Sequence, residues 1–288
     1  MYHLPTSKCL QVFVGHECNG ESGGVTGGCF TPDGKFALTI GMDGTMRIWA
    51  PRTGVCRHVF KLNASDDGNN HYDGSNDDEG LSGLTCLAVD GGADGQLAIA
   101  GGVDGAAYVV HLQGKKVVAT LRHNEQQQQQ QQQQQNDDDD DEMMMTMASV
   151  EAVGFASKTV NPNWVATGGS DGKLKIWDLT FDGGQCRQTC QGEGNTGGVT
   201  RLNWHPTLPI VIATYSDAAV RLWDARNGTL LYTLTGGNSS GENQINDVSV
   251  VFANSSNGTG GNVIITTGND DGQCKVFNID IGQVMSNV

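Results

Sequence analysis

Histidine and aspartate are the residue types in this chain best suited to moving protons, and their spacing decides whether they do. His58, His71, His111 and His205 are scattered, and no Ser or Cys nucleophile stands beside a base, so the arrangement needed for nucleophilic catalysis is missing. Cys186 and Cys190, with three residues between them, could supply half of a metal site. No second His/Cys pair has zinc spacing, however, and none of the cysteines forms a CxxC pair. The run Gly91-Gly92-Ala93-Asp94-Gly95 reads as a hairpin turn that opens no helix, which makes it a poor phosphate cradle. Catalysis, a metal, a cofactor and a small-molecule substrate are therefore not expected.

The aspartates follow a different rule. Five times an Asp stands six residues before a bulky apolar residue that ends a short strand-like run: Asp43 to Trp49, Asp104 to Val110, Asp171 to Trp177, Asp217 to Trp223 and Asp271 to Phe277. Trp177-Asp178 and Trp223-Asp224 are literal Trp-Asp pairs. A turn and strand recurring in this way mark a repeat architecture, and the Asp residues then belong first to turn stabilisation and only secondarily to binding.

The elements that must position them are strands. Alternating apolar residues bounded by Gly, Asp and Asn predict four strands per unit, a to d, over 15–62, 72–121, 149–191, 195–236 and 243–288. In the last unit the fourth strand is the weakest, Gln283 to Met285. The opening residues align without gaps to a later stretch: Met1 to Phe13 matches Ile48 to Phe60, with Tyr2 on Trp49, Cys9 on Cys56 and Phe13 on Phe60. Residues 1–14 thus read as strands c and d of a further, partial unit. Between the second and third units, 122–148 holds a low-complexity insert of Gln and Asp that cannot bury enough apolar area to fold and is expected to be disordered.

All five units resemble the WD40 family. The resemblance implies an all-β propeller: five complete four-stranded blades plus part of a sixth, read as the C-terminal part of a ring of roughly seven or eight blades. The alternative is a smaller ring closed by residues 8–14 joining the last blade. The resemblance also implies that each turn Asp bonds to an upstream His. His16 fits that role for Asp43 and His123 for Asp171, while the fourth and fifth units have no such His and are expected to lean on packing.

The net charge is −15, with no basic face of the kind nucleic-acid binders carry. There is no apolar run long enough for a membrane span and no signal peptide, so a cytoplasmic protein, with access to the nucleus, is expected, its strand cysteines Cys29, Cys86 and Cys274 buried as free thiols. The long connections between strand d of one unit and strand a of the next lie in 15–24, 61–83, 122–148, 190–198 and 236–246. They hold two, six, seven, one and one acidic residues, or seventeen of the chain's 32, against only Lys61 and Arg122 among the basic ones. In a propeller these connections share one face, so that face is expected to be strongly negative. Asp66, Asp67, Asp77, Asp78, Glu79 and Glu193 are its candidate binding residues.

Three stretches, 23–49, 149–179 and 198–227, resemble more narrowly the WD40 subfamily of angio-associated migratory cell proteins and their fungal ribosome-assembly counterparts. That resemblance implies a chaperone for a basic large-subunit ribosomal protein held on an acidic propeller face. The alternative is a general scaffold for protein–protein interaction in signalling, cytoskeletal or cell-migration pathways. Such a scaffold would need an aromatic hot spot, for which the connections offer chiefly Tyr72.

Overall fold

A computed structural model describes residues 2–3, 8–16, 24–62, 82–92, 96–123, 148–192, 197–235, 245–253, 261–269 and 272–286. Asp66, Asp67, Asp77, Asp78, Glu79, Glu193, Asp271 and the Gln/Asp insert lie outside the described residues.

Antiparallel strands joined by tight turns account for nearly all of the structure. β1 (Tyr2–His3) pairs with β2 (Lys8–Cys9). The first full sheet follows: β3 (Val25–Phe30), β4 (Ala37–Gly41), β5 (Thr45–Trp49) and β6 (Cys56–Lys61). The second is β7 (Leu84–Val89), β8 (Leu97–Gly102), β9 (Ala106–His111) and β10 (Lys116–Arg122). The third is β11 (Val150–Phe155), β12 (Trp164–Gly169), β13 (Leu174–Asp178) and β14 (Gln185–Cys190), and the fourth is β15 (Val199–Trp204), β16 (Ile210–Tyr215), β17 (Ala219–Asp224) and β18 (Leu230–Thr235). The fifth has three strands, β19 (Ile245–Ala253), β20 (Asn262–Asn269) and β21 (Cys274–Asp280). Each sheet is a meander in sequence order, and the first strands β3, β7, β11, β15 and β19 lie side by side in succession, as the inner strands of propeller blades do.

Two expectations need correction. The segment read as the last strand of the fifth unit folds as a short helix, Ile281–Ser286, that buries Ile281 and Val284. Asp280 caps it, its Oδ1 accepting the N–H groups of Gly282 at 2.8 Å and Gln283 at 3.3 Å. Of the strand cysteines expected to be buried, Cys29 and Cys86 are half-buried and Cys274 is exposed; among the described residues the buried cysteine is Cys190. Residues 8–16 do not add a strand to the fifth sheet. Tyr2 faces Cys9 in the register in which Trp49 faces Cys56, and the chain then crosses the first sheet, with Phe13 5.4 Å from the Trp49 ring and Gln11 filling the space over Gly54.

The core lies in the seams. Strand faces that alternate apolar residues pack sheet against sheet. Leu38, Ile40, Met46 and Phe60 of the first sheet meet Leu84, Ala98, Tyr108 and Val110 of the second. Val109 and Leu121 meet Val150 and Trp177, and Trp164, Leu174 and Ile176 meet Val199, Tyr215 and Trp223. Each of the five larger sheets opens with a β-bulge one residue into its first strand, at Thr26, Thr85, Glu151, Thr200 and Asn246. At Thr26 and Thr85 the bulged side chain reaches across the seam. Thr26 donates to the Leu84 carbonyl at 2.5 Å and Thr85 to the Val150 carbonyl, so a hydroxyl pins the first sheet to the second and the second to the third.

The turn after the second strand needs a left-handed residue, which glycine adopts without steric penalty. Gly44, Gly105, Gly172 and Gly272 supply it with φ between 66° and 77°. In the fourth sheet the position is Ala218, at φ 63°. Ala218→Gly relieves a Cβ clash worth roughly 1–2 kcal/mol against a glycine entropy cost of roughly 0.5–1 kcal/mol. The variant is expected to be more stable by about 0.5–1 kcal/mol, read as a higher urea midpoint; a lower midpoint would show that the turn carries no strain.

Candidate protein-interaction surface

The turn aspartates are built alike. In each described case Oδ1 accepts the N–H two residues on: Asp43 from Thr45 at 3.1 Å, Asp104 from Ala106 at 3.2 Å, Asp171 from Lys173 at 3.1 Å and Asp217 from Ala219 at 3.1 Å. This Asx turn fixes the loop between the second and third strands. Trp49, Trp177 and Trp223 are buried, and Phe277 is half-buried.

In the first sheet a relay extends from the turn into the blade. The Trp49 indole donates to Thr39 Oγ1 at 2.8 Å, Thr39 Oγ1 lies 2.7 Å from His16 Nε2, and His16 Nδ1 lies 3.0 Å from both oxygens of Asp43. A carboxylate accepts only, so His16 donates from Nδ1 and Nε2 accepts the Thr39 hydroxyl. These distances also describe an Asp–His–hydroxyl triad. Thr39 Oγ1 is engaged by an indole, however, and serves here as a structural link rather than a nucleophile. Gly41 makes room for the relay, because a Cβ there would stand 2.8 Å from His16 Nδ1 and 2.9 Å from Asp43 Oδ1. The third sheet repeats the layout. Trp177 donates to Thr167 at 2.9 Å, and a Cβ on Gly169 would meet Asp171 Oδ1 at 2.6 Å and His123 Nε2 at 3.1 Å, which places His123 beside Asp171.

The other two described aspartates are held by residues that the sequence reading missed. Tyr108 donates its hydroxyl to Asp104. In the fourth sheet, expected to lean more on packing, Arg221 grips Asp217 with two bonds, at 3.1 and 2.6 Å, and stacks 4.4 Å over the Tyr215 ring. The Tyr215 hydroxyl in turn accepts the Trp223 indole at 2.9 Å. Tyr215 occupies the place of Gly41 and Gly169, filling the room a histidine would take, so the network is rebuilt rather than absent. The sequence signal was present: a residue able to bond sits four positions after each of these aspartates.

The second member of each Trp-Asp pair braces the opposite ends of the strands. Asp178 accepts from Trp164 at 3.3 Å, Thr180 at 2.9 Å and Arg187 at 3.3 Å, and Asp224 accepts four bonds from Arg226. Burial works to raise both carboxyls, but these donors prevail and hold both below the usual range. His205 behaves differently. It is 4% exposed, its Nδ1 accepts the N–H groups of Thr207 and Leu208, and its ring meets Phe252 edge-on at 4.9 Å. Burial lowers its pKa. The unfolded chain, with His near 6.5, therefore binds more protons than the folded chain below that pH, and stability falls as pH drops from about 6.5 toward the folded value. His205→Asn keeps an acceptor and removes the titration. Its urea midpoint is expected to fall less than that of the natural sequence between roughly pH 7.5 and 5.5, whereas parallel curves would show that His205 is not the group responsible.

On the face where the d–a connections enter, the seam geometry changes at the third sheet. Glu151 stands where Thr26 and Thr85 pin the earlier seams, and Thr200 turns to its own sheet, 2.9 Å from Thr214 Oγ1. A cavity of ≈ 410 Å³ opens there, lined by polar residues such as Glu151, Ser170, Thr200 and Arg201 and by the apolar Val199 and Ile245. Among the described residues no His/Cys/Asp/Glu group is arranged to hold a metal, and no helix is long and apolar enough to cross a membrane.

Meander sheets with Asp-fixed turns and a Trp–Thr–His–Asp relay define a WD-repeat propeller, a class of protein-binding scaffold that is generally non-catalytic. The chain belongs to the WD40 β-propeller family: residues 52–280 match the family model described as "Nucleolar protein 10-like, N-terminal domain" and residues 7–50 match "WD domain, G-beta repeat". It is 32% identical over 231 residues to the angio-associated migratory cell protein of Homo sapiens, covering 80% of this chain and 45% of that protein. To an uncharacterized WD repeat-containing protein of Schizosaccharomyces pombe it is 28% identical over 240 residues, covering 81% of this chain and 48% of that protein. The chain thus spans less than half the length of these curated relatives.

Proposed function

We propose that this chain is a non-catalytic binding protein that chaperones a basic large-subunit ribosomal protein on its acidic propeller face, within the cytoplasm and nucleus. The observation that carries the reading is where the charge falls in the sequence: seventeen of 32 acidic residues, against two of 17 basic ones, lie in the connections between sheets, which in a propeller share one face. A carboxylate-rich face attracts a basic segment over a Debye length and repels acidic competitors, so association is fast and salt-sensitive. The cavity lined by Glu151 and Arg201 opens where the first strands of the third and fourth sheets begin, and propellers of this family bind protein partners in general.

The test is a pull-down from cell extract at low and high salt, read by mass spectrometry, with a second form in which Asp66, Asp67, Asp77 and Asp78 become Asn and Glu79 becomes Gln. Recovery of one basic large-subunit protein, lost at high salt and in the neutralised form, is expected. A diverse, salt-insensitive set would sink the chaperone reading in favour of a general scaffold.

A further inference from the structure

The outer rim of the first two sheets carries charge opposite to that of the chain as a whole. β6 and β10 are the outermost strands of their sheets and have no strand on their outer side among the described residues. Residues 50–62 and 111–123, which contain these strands and the turns before them, include Arg52, Arg57, Lys61, Lys115, Lys116 and Arg122 and no acidic residue, in a chain of net charge −15. Arg52, Arg57, Lys115 and Lys116 are exposed.

The two rims adjoin. Phe60 and Leu62 share one packed cluster with Tyr108, Val110 and Leu112, and burial together with the nearby Lys115 charge holds the His58 imidazole below its ordinary pKa. Lys115 adopts a left-handed backbone at φ 50°, and bulges at Arg57 and Val118 turn those residues out of the ladder. Exposed valines are interleaved with the cations: Val55, Val59, Val117 and Val118.

Cations and bulges on a strand edge commonly guard against edge-to-edge aggregation. That need would apply equally to the outer strands of the third and fourth sheets, and they carry no such cluster of exposed cations. Arg187 of β14 is paired with Asp178, and β18 carries no charge at all. The rim of the first two sheets is thus singled out.

We propose that this rim docks an acidic, extended segment of a partner protein, added along β6 or β10. The segment's carboxylates meet Arg57, Lys115 and Lys116, and its apolar side chains meet the exposed valines. Open strand edges supply backbone bonds for such an addition, and alternate side chains supply selectivity. A nucleic-acid strand would want exposed aromatic faces for base stacking. Here the exposed apolar groups are valines, and the His58 ring is engaged edge-on with Phe60 at 4.5 Å. The proposal does not rest on the acidic residues of the connections, which begin just beyond these strands, at Asp66 after β6 and at Glu125 after β10.

The test uses the whole chain, a fluorescein-labelled peptide of alternating Glu and Val, and a labelled uridine homopolymer, with binding read by anisotropy. The peptide is expected to bind, with affinity falling as salt rises. Lys115→Glu with Lys116→Glu is expected to weaken it at least about tenfold, while Lys158→Glu, an exposed charge on another turn, leaves it unchanged. Tighter binding of the homopolymer, binding of neither probe, or equal loss with Lys158→Glu would each overturn the proposal.

Discussion

Trp223→Ala is expected to lower the unfolding free energy by about 3–5 kcal/mol, the largest single effect in the chain. Trp223 is 1% exposed and sits in the seam that joins the third and fourth sheets, among Trp164, Leu174, Val199 and Tyr215. Truncation there removes apolar contact on both sheets at once and leaves a void that rigid strands close poorly. It also takes the indole from the Tyr215 hydroxyl, which is buried beneath Arg221 and loses its 2.9 Å donor. Trp223→Phe separates the two contributions: it keeps most of the volume and removes the N–H, for an expected loss of about 1–2 kcal/mol. Urea unfolding followed by tryptophan-independent circular dichroism measures both. A loss below about 1.5 kcal/mol for Trp223→Ala would mean that the seam is not close-packed at this point.

Much of the architecture was legible because strand periodicity and turn chemistry are local signals. The alternation in Thr45-Met46-Arg47-Ile48-Trp49 places Met46 and Ile48 on one face and Arg47 and Trp49 on the other, and the structure packs only the first pair into the seam with the second sheet. What escaped the sequence reading depends on partners brought together by the fold. The Thr26 and Thr85 pins join residues of neighbouring sheets, 58 and 65 positions apart, and no local pattern announces them. The exchange of a His–Gly pair for Tyr215 and Arg221 was visible as letters but not as geometry, because Tyr215 reads as one more strand residue until its place opposite Asp217 is known. The terminal helix was misread for another reason. Repeat expectation pulled 283–285 into a strand, although Asp280 followed by Ile281 and Val284 already spelled a helix cap and a one-sided apolar pair. The acidic connections are a third case: their charge is plain in the sequence, while Asp66, Asp67, Asp77, Asp78, Glu79 and Glu193 fall outside the described residues.

Asp43→Ala is expected to cost about 2–4 kcal/mol, because one carboxylate orders an entire chain of donors. Asp43 accepts from the Thr45 N–H and hydroxyl, lies 3.0 Å from His16 Nδ1, and is 3.6 Å from Arg47. Its removal frees His16 to change tautomer. With the proton on Nε2 the ring faces the Thr39 hydroxyl as a donor, and Thr39 can no longer both donate to His16 and accept from Trp49. Thr39 then accepts from both rings and its own proton needs another acceptor, and residues 10–16, which reach the first sheet through Gln11, Phe13 and His16, are held less firmly at His16. Two companion variants identify the cause. Gly41→Ala forces a Cβ within 2.8 Å of His16 Nδ1 and is expected to loosen the same segment without touching the charge. Asp217→Ala removes a more exposed carboxylate held by Arg221 and is expected to cost less, about 1–2 kcal/mol. Nitrogen-15 spectra of His16 give a readout that stability alone does not: the natural sequence is expected to show the Nδ1–H tautomer, and Asp43→Ala a mixture. If His16 keeps a single tautomer without Asp43, the relay is not ordered by the carboxylate, and the stability loss must come from the turn.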